Sequence, residues 1–223
     1  MTEPDFRPAW SAAGPAVRRA LELAYQSLAG GGLAVGSVLT DVDGRILAEG
    51  RNRAYDPPGG PDALQGTPLA HAELNALAAV PTGRELGTDT LWSTQEPCSM
   101  CAAAAAFVGV GRVCYLAPDP WALAARPVRG PAEVETIGPM DGGWLVAANL
   151  FFLYGIAAAR GTDHPTVARN RDIEPETAGI VLDLLAEHGD VGGLTGGRTA
   201  DETLAQLWPR IAAAAAARSE RLG

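Results

Sequence analysis

Apolar and polar positions along the chain change period several times, and each change predicts an element. Val17, Leu21, Ala24 and Leu28 recur at helical spacing, so residues 15–29 read as a helix. Gly30-Gly31-Gly32 stops it. The Val- and Leu-rich run 33–40 reads as a strand, Asp41-Val42-Asp43-Gly44 as a turn, and residues 45–49 as the returning strand of a hairpin. Residues 54–69 hold four prolines and three glycines. So long a loop in a compact domain is a functional mouth or a disordered insert. Residues 70–80 read as a helix ended by Pro81, 90–94 as a short strand, 98–108 as an Ala-rich helix and 112–117 as a further strand.

Past Pro118 the pattern shifts. A Pro-rich connection over 118–131 leads to a possible strand at 133–137, then to helices at about 143–159, 175–188 and 200–219. The expected organisation is an N-terminal tail (1–14), an α/β domain (15–140) and a helical C-terminal extension (141–223) packing on it. The apolar stretch 144–159 is shorter than the roughly 20 residues that span a bilayer, so it reads as a buried or interface helix.

Composition then narrows the chemistry. The chain has 223 residues, is 47% hydrophobic and 19% charged, and all 17 basic residues are arginine. Without lysine there is no Schiff-base, P-loop or kinase-type lysine. The net charge of −9 is spread along the chain, and nothing beyond Arg51 and Arg53 is read as the start of a basic face. A phosphate-backbone binder would show a basic face, so nucleic acid is expected to be an unlikely partner unless a local patch exists. The start of the chain is acidic and Pro-rich, unlike a targeting segment, and the expectation is a cytoplasmic protein without membrane contact.

Candidate chemistry gathers at two places. His71-Ala72-Glu73 opens one helix, and Pro97-Cys98-Ser99-Met100-Cys101 opens another. The C-x-x-C spacing suggests metal or redox chemistry in a reducing compartment. A helical turn puts both sulfurs on one face, where the helix N-terminus favours thiolate. One imidazole and two thiolates suit Zn²⁺, and three ligands with a nearby acid suggest a site left open for water. Such an ion makes water nucleophilic near neutral pH, and Glu73 could move its protons. Cys114 reads as core, and His164 and His188 as surface residues without metal-like partners. Trp92, Trp121 and Trp144 could stack on a base, although packing is the ordinary use of each.

The two motifs together resemble the H-x-E … P-C-x-x-C signature of zinc-dependent nucleobase and nucleoside deaminases, the cytidine deaminase-like superfamily. The leading helix, the strand through Val35-Gly36-Ser37-Val38-Leu39 and the strand ending in Arg51-Asn52 follow in the order of that family. The resemblance covers residues 15–120 and leaves the last hundred unexplained. It implies a three-layer α/β/α cytidine deaminase-like fold with a central mixed sheet. It also implies His71, Cys98 and Cys101 as zinc ligands, Glu73 as catalytic proton shuttle, and Asn52, Ala72 and Glu96 as substrate contacts. The Glu-Pro-Cys-Ser-Met-Cys form is similar to the branch of tRNA adenosine, guanine and fungal-type cytosine deaminases. Combined with the charge, this favours deamination of a small nucleobase or nucleoside by a homodimer. The alternatives are tRNA adenosine-to-inosine deamination and a non-catalytic zinc-stabilised scaffold.

Overall fold

A computed structural model describes residues 5–60, 62–121, 134–140 and 142–223. In chain order the elements are α1 (Phe6–Ala12), α2 (Gly14–Ala29), β1 (Gly36–Thr40), β2 (Ile46–Arg51), α3 (Ala72–Ala78), β3 (Thr90–Gln95), α4 (Ser99–Val108), β4 (Arg112–Ala117), β5 (Glu135–Ile137), α5 (Gly143–Arg160), α6 (Pro165–Ile173), α7 (Pro175–His188), α8 (Val191–Thr195) and α9 (Ala200–Leu222). The strands form one sheet in the order β2-β1-β3-β4-β5. The β1–β2 and β1–β3 pairs are antiparallel, whereas β3–β4 and β4–β5 are parallel. The sheet is therefore mixed. Its parallel pair β3–β4 is joined through α4, as a parallel crossover requires.

Two glycines set the layers. A Cβ on Gly36 would lie 2.1 Å from the Ala20 carbonyl of α2, and one on Gly50 would lie 2.3 Å from the Ala72 carbonyl of α3. Gly36 pairs with Arg51 and Gly50 with Ser37, so the two glycines face opposite sides of the sheet. Helix α2 thus presses on one face and α3 on the other. Leu39, Leu91 and Val113 pack with Ala76, Leu77 and Ala105 of α3 and α4 in one core. On the far face α2 and α5 share a larger core that also takes in α7 and α9. The result is the three-layer α/β/α arrangement anticipated above.

The C-terminal helices are part of this core. Leu145, Leu150, Phe151, Leu153 and Tyr154 of α5 are fully buried. At 18 residues α5 is long and apolar enough to cross a bilayer, but its burial against α2, β4 and the later helices marks a core helix. Bidentate contacts of 2.6 and 2.9 Å from Arg218 to the buried Glu174 tie α9 to the start of α7.

Several expectations need correction. The segment 1–14, read as a tail, contains α1, whose Phe6 and Trp10 rings contact Trp144, with Phe6 also against Trp208. Helices α6 and α8 were missed because each is short. The 54–69 loop is clamped, not a loose insert: Arg51 and Arg53 both ion-pair with Asp56, and Arg53 also pairs with Asp62. Much of the 118–131 connection lies outside the described residues.

The close seat of α3 on β2 yields a test. Gly50→Ala forces backbone apart beneath the His71 helix, and overpacking of this kind costs about 1–3 kcal/mol. Urea denaturation is expected to show that loss; an unchanged midpoint would contradict the packing described.

Candidate metal centre and cavity

Two helix N-termini meet above the end of the sheet. His71 is the N-cap of α3 and Cys98 the N-cap of α4, both with extended backbone, and neither side chain makes a capping hydrogen bond. Their side chains turn toward each other. His71 Nδ1 lies 3.7 Å from Cys98 Sγ and 3.5 Å from Cys101 Sγ, and the two sulfurs are 3.6 Å apart. In a tetrahedron with Zn–S of 2.3 Å and Zn–N of about 2.05 Å, neighbouring donors stand about 3.6–3.8 Å apart. The observed triangle has that size. The three donors also form a mutually close set able to hold a metal ion, and they fit Zn²⁺.

Electrostatics agree with the donor chemistry. Contact with Cys101, then with His71, holds the Cys98 sulfur down to about 3. Cys101 is pushed up by its hydrogen bond with Cys98 and by burial. His71 is raised, chiefly by Cys98. A divalent cation bound by both sulfurs would displace whatever proton they carry, as metal binding to thiols releases protons.

Glu73, on the first turn of α3, is 3% exposed. Burial raises the proton affinity of its carboxyl, and the hydrogen bonds it accepts oppose that rise. One of them comes from the Ser93 hydroxyl of β3, which donates to Oε1 at 2.8 Å. Ser93 shares the face of the sheet that carries Leu91 and meets α3, so strand parity delivers it there.

These groups open onto a cavity of about 380 Å³ whose lining includes His71, Glu73 and Cys98. The volume is in the range of small-molecule sites. Asn52 lines it from the end of β2. Its N–H donates to Val35, its carbonyl accepts from Ser27, and its Oδ1 accepts the Ala54 N–H at 3.1 Å. The last contact leaves Nδ2 as the donor on the cavity side. Glu96 also lines the wall, with its carboxyl raised by burial. Ala72, expected to contribute backbone, lies between His71 and Glu73 at the first position of α3 with its side chain fully buried and its carbonyl against Gly50 of β2.

Other wall residues were not anticipated. Gln95 is buried, and neither its amide nitrogen nor its oxygen has a hydrogen-bond partner among the described residues. Asp119, raised by burial, stands beside Glu96. Tyr55 comes from the clamped loop, Phe152 and Ile156 from α5, and His164 and Thr166 from the start of α6. His164 is therefore a cavity residue and not the plain surface histidine expected. Trp121 also reaches the cavity, whereas Trp144 packs against Trp208 with ring centroids 4.6 Å apart. Cys114 is buried in β4, as expected.

Residues 13–117 match the family described as the cytidine and deoxycytidylate deaminase zinc-binding region. That match agrees with the resemblance to the cytidine deaminase-like superfamily. A tRNA-specific adenosine deaminase of Haemophilus influenzae is 38% identical over 106 residues, which cover 46% of this chain and 57% of that protein. A cytosine deaminase of Candida albicans is 30% identical over 96 residues, covering 42% and 59%. The solved guanine deaminase of Bacillus subtilis is 31% identical with a TM-score of 0.40, over 49% of this chain and 66% of that one. The chain thus matches little more than half the length of these curated relatives.

The ligand assignment can be tested without substrate. His71→Ala and Cys101→Ser are each expected to reduce zinc after dialysis from about one per chain to a small fraction. Glu73→Gln is expected to keep it. Elemental analysis decides, and full zinc in Cys101→Ser would remove that residue from the ligand set.

Proposed function

We propose that this chain hydrolyses the exocyclic amine of a nucleobase-type heterocycle, releasing ammonia and leaving a carbonyl in its place. The observation that carries this reading is Glu73, buried and held by Ser93 beside the His71/Cys98/Cys101 triad at the wall of a ligand-sized cavity. His71, Cys98 and Cys101 would hold zinc, which when bound supplies the Lewis acidity that makes water nucleophilic near neutral pH.

The chain's own groups do the rest. Glu73 accepts the proton of the attacking water and gives it to the ring nitrogen beside the reacting carbon. It then takes the hydroxyl proton left on that carbon and passes it to the amine, so the C–N bond breaks as the C=O forms. Raised proton affinity suits a group that must both take and release a proton near neutrality. Ser93 fixes one carboxylate oxygen and leaves the other for transfer. Asn52 Nδ2 is available to orient the ring by donating to one of its acceptors. Water is shut out on one side by Phe152 and Ile156.

The charge-based expectation against nucleic acid does not stand. The tRNA-specific adenosine deaminase among the relatives keeps a polynucleotide substrate open. A scaffold role is the remaining alternative.

Ammonia release from zinc-loaded protein, screened over aminopurines, aminopyrimidines and their nucleosides and nucleotides together with tRNA, tests the reading. Glu73→Gln is expected to lower kcat about 10²–10⁴-fold with zinc retained. Ser93→Ala is expected to cost about tenfold. Equal function in Glu73→Gln would favour the scaffold.

The reading includes a homodimer. Helix α4 carries no charged residue, and Phe107 on it is 79% exposed. Sedimentation is expected to show a dimer that Phe107→Arg dissociates; a wild-type monomer would refute it.

A further inference from the structure

Resting on the deaminase reading, the structure's second notable feature is where its arginines lie. Arg51 and Arg53, the pair conspicuous in sequence, are consumed by Asp56 and Asp62. Three others are not. Arg160 ends α5 on the cavity wall and has no ion-pair partner among the described residues. Arg169 and Arg171, on α6, line an adjoining outer cavity of about 560 Å³. Arg171 donates to the Thr162 carbonyl, and Arg169 lies over the Trp121 ring at 5.0 Å; neither has an ion-pair partner among the described residues.

Trp121 joins the two cavities, because it lines both. Its indole N–H donates to Thr166 Oγ1 at 3.0 Å, and Arg169 covers its ring. One edge and one face are thus engaged, yet the residue stays 46% exposed. An aromatic ring pinned in this way is a preorganised wall with little side-chain entropy left to lose. On its inner side stand His71, Glu73 and Cys98; on its outer side stand Arg169 and Arg171, with one carboxylate, Asp172, beside them. His164 adds a donor between them. Its Nδ1 accepts the Thr166 N–H at 3.3 Å, which places the proton on the other ring nitrogen.

We propose that Arg160, Arg169 and Arg171 bind a phosphate of the substrate, with the base beside His71 and Glu73 and the connecting sugar passing Trp121. The substrate class is then a phosphorylated nucleoside, and a bare base lacks half of the contacts. Guanidinium groups suit a phosphate because their forked donors match its oxygens. A net charge of −9 elsewhere repels such a ligand at long range but is screened within about 8–10 Å at physiological salt, so the local arginines govern the bound state. A mononucleotide and a polynucleotide present the same group, and the test separates them.

For each base that releases ammonia, kcat/KM is measured for the free base, the nucleoside, the 5′-monophosphate and an RNA stem-loop presenting that base. The expected result is at least about a tenfold preference for a phosphate-bearing form over the nucleoside, lost at high salt. The variant Arg160→Gln/Arg169→Gln/Arg171→Gln is expected to shrink that ratio at least about tenfold, through KM. Preference for the monophosphate assigns the site to mononucleotides; turnover of the stem-loop alone assigns it to a polynucleotide. A ratio the triple variant does not change overturns the proposal. Equilibrium binding of the same compounds to zinc-loaded Glu73→Gln protein separates the two readings. Arginine-dependent binding of the phosphate forms without any ammonia from the wild type upholds the phosphate site and removes the deaminase. Binding indifferent to the three arginines removes the site, whatever the enzyme does.

Discussion

The meeting of two N-cap residues over one end of the sheet is the constraint on which the rest of the molecule depends. His71 and Cys98 occupy positions where a side chain ordinarily closes its own helix, and neither does so. Their atoms are committed to each other and to Cys101 within 3.5–3.7 Å. Holding that triangle requires α3 and α4 to be fixed against the same face. Gly50 lets α3 approach β2 to backbone contact, and the parallel β3–β4 pair places α4 beside it. A shift of even one ångström at either helix start would spoil a donor triangle matched to a tetrahedral ion. The glycine and the crossover therefore belong to the chemistry as much as the ligands do.

The same geometry explains why a carboxyl can be buried so completely at Glu73. A lone buried charge is costly, but this one sits on the first turn of α3, accepts from Ser93 and lies near the His71 imidazole. Each of these favours the ionised form, while burial favours the neutral one. The balance leaves a group able to exist in both states, which a proton shuttle must do and an ordinary surface glutamate need not.

Much of this was legible in the chain. The period of Val17 to Leu28, the turn at Asp41–Gly44 and the spacing from His71 to Cys101 needed no coordinates, because each is set by local geometry. The role of α5 was readable only in part, since an apolar run shows that a helix is buried but not against what. Helix α1 escaped because Pro8 within it and the acidic, proline-containing lead resemble a tail, and its stability comes from Phe6 and Trp10 meeting Trp144 and, through Phe6, Trp208, residues far along the chain. Gln95 and His164 were missed for a similar reason. Nothing near Gln95 in sequence shows that its amide lacks partners, and nothing near His164 shows that α6 begins at the cavity.

Net charge illustrates how a whole-chain quantity misleads about a site. The sum of −9 counts every acid equally, yet the acids are already assigned unevenly. Asp56 and Asp62 are spent on Arg51 and Arg53, Glu174 and Glu176 on Arg218 and Arg221, and Glu187 on Arg210. Paired charges largely cancel beyond a few ångströms, so what a ligand meets at close range is the unpaired remainder. Around the cavity mouth that remainder, among the described residues, includes Arg160, Arg169 and Arg171. It also includes Asp119 and Glu96, set deeper and raised by burial toward their neutral forms. The field along the cavity thus runs from carboxyls that resist ionisation inside to a mouth where three guanidiniums outnumber the one carboxylate of Asp172. A ligand that is neutral at its reacting end and anionic at its far end is the one such a gradient orients.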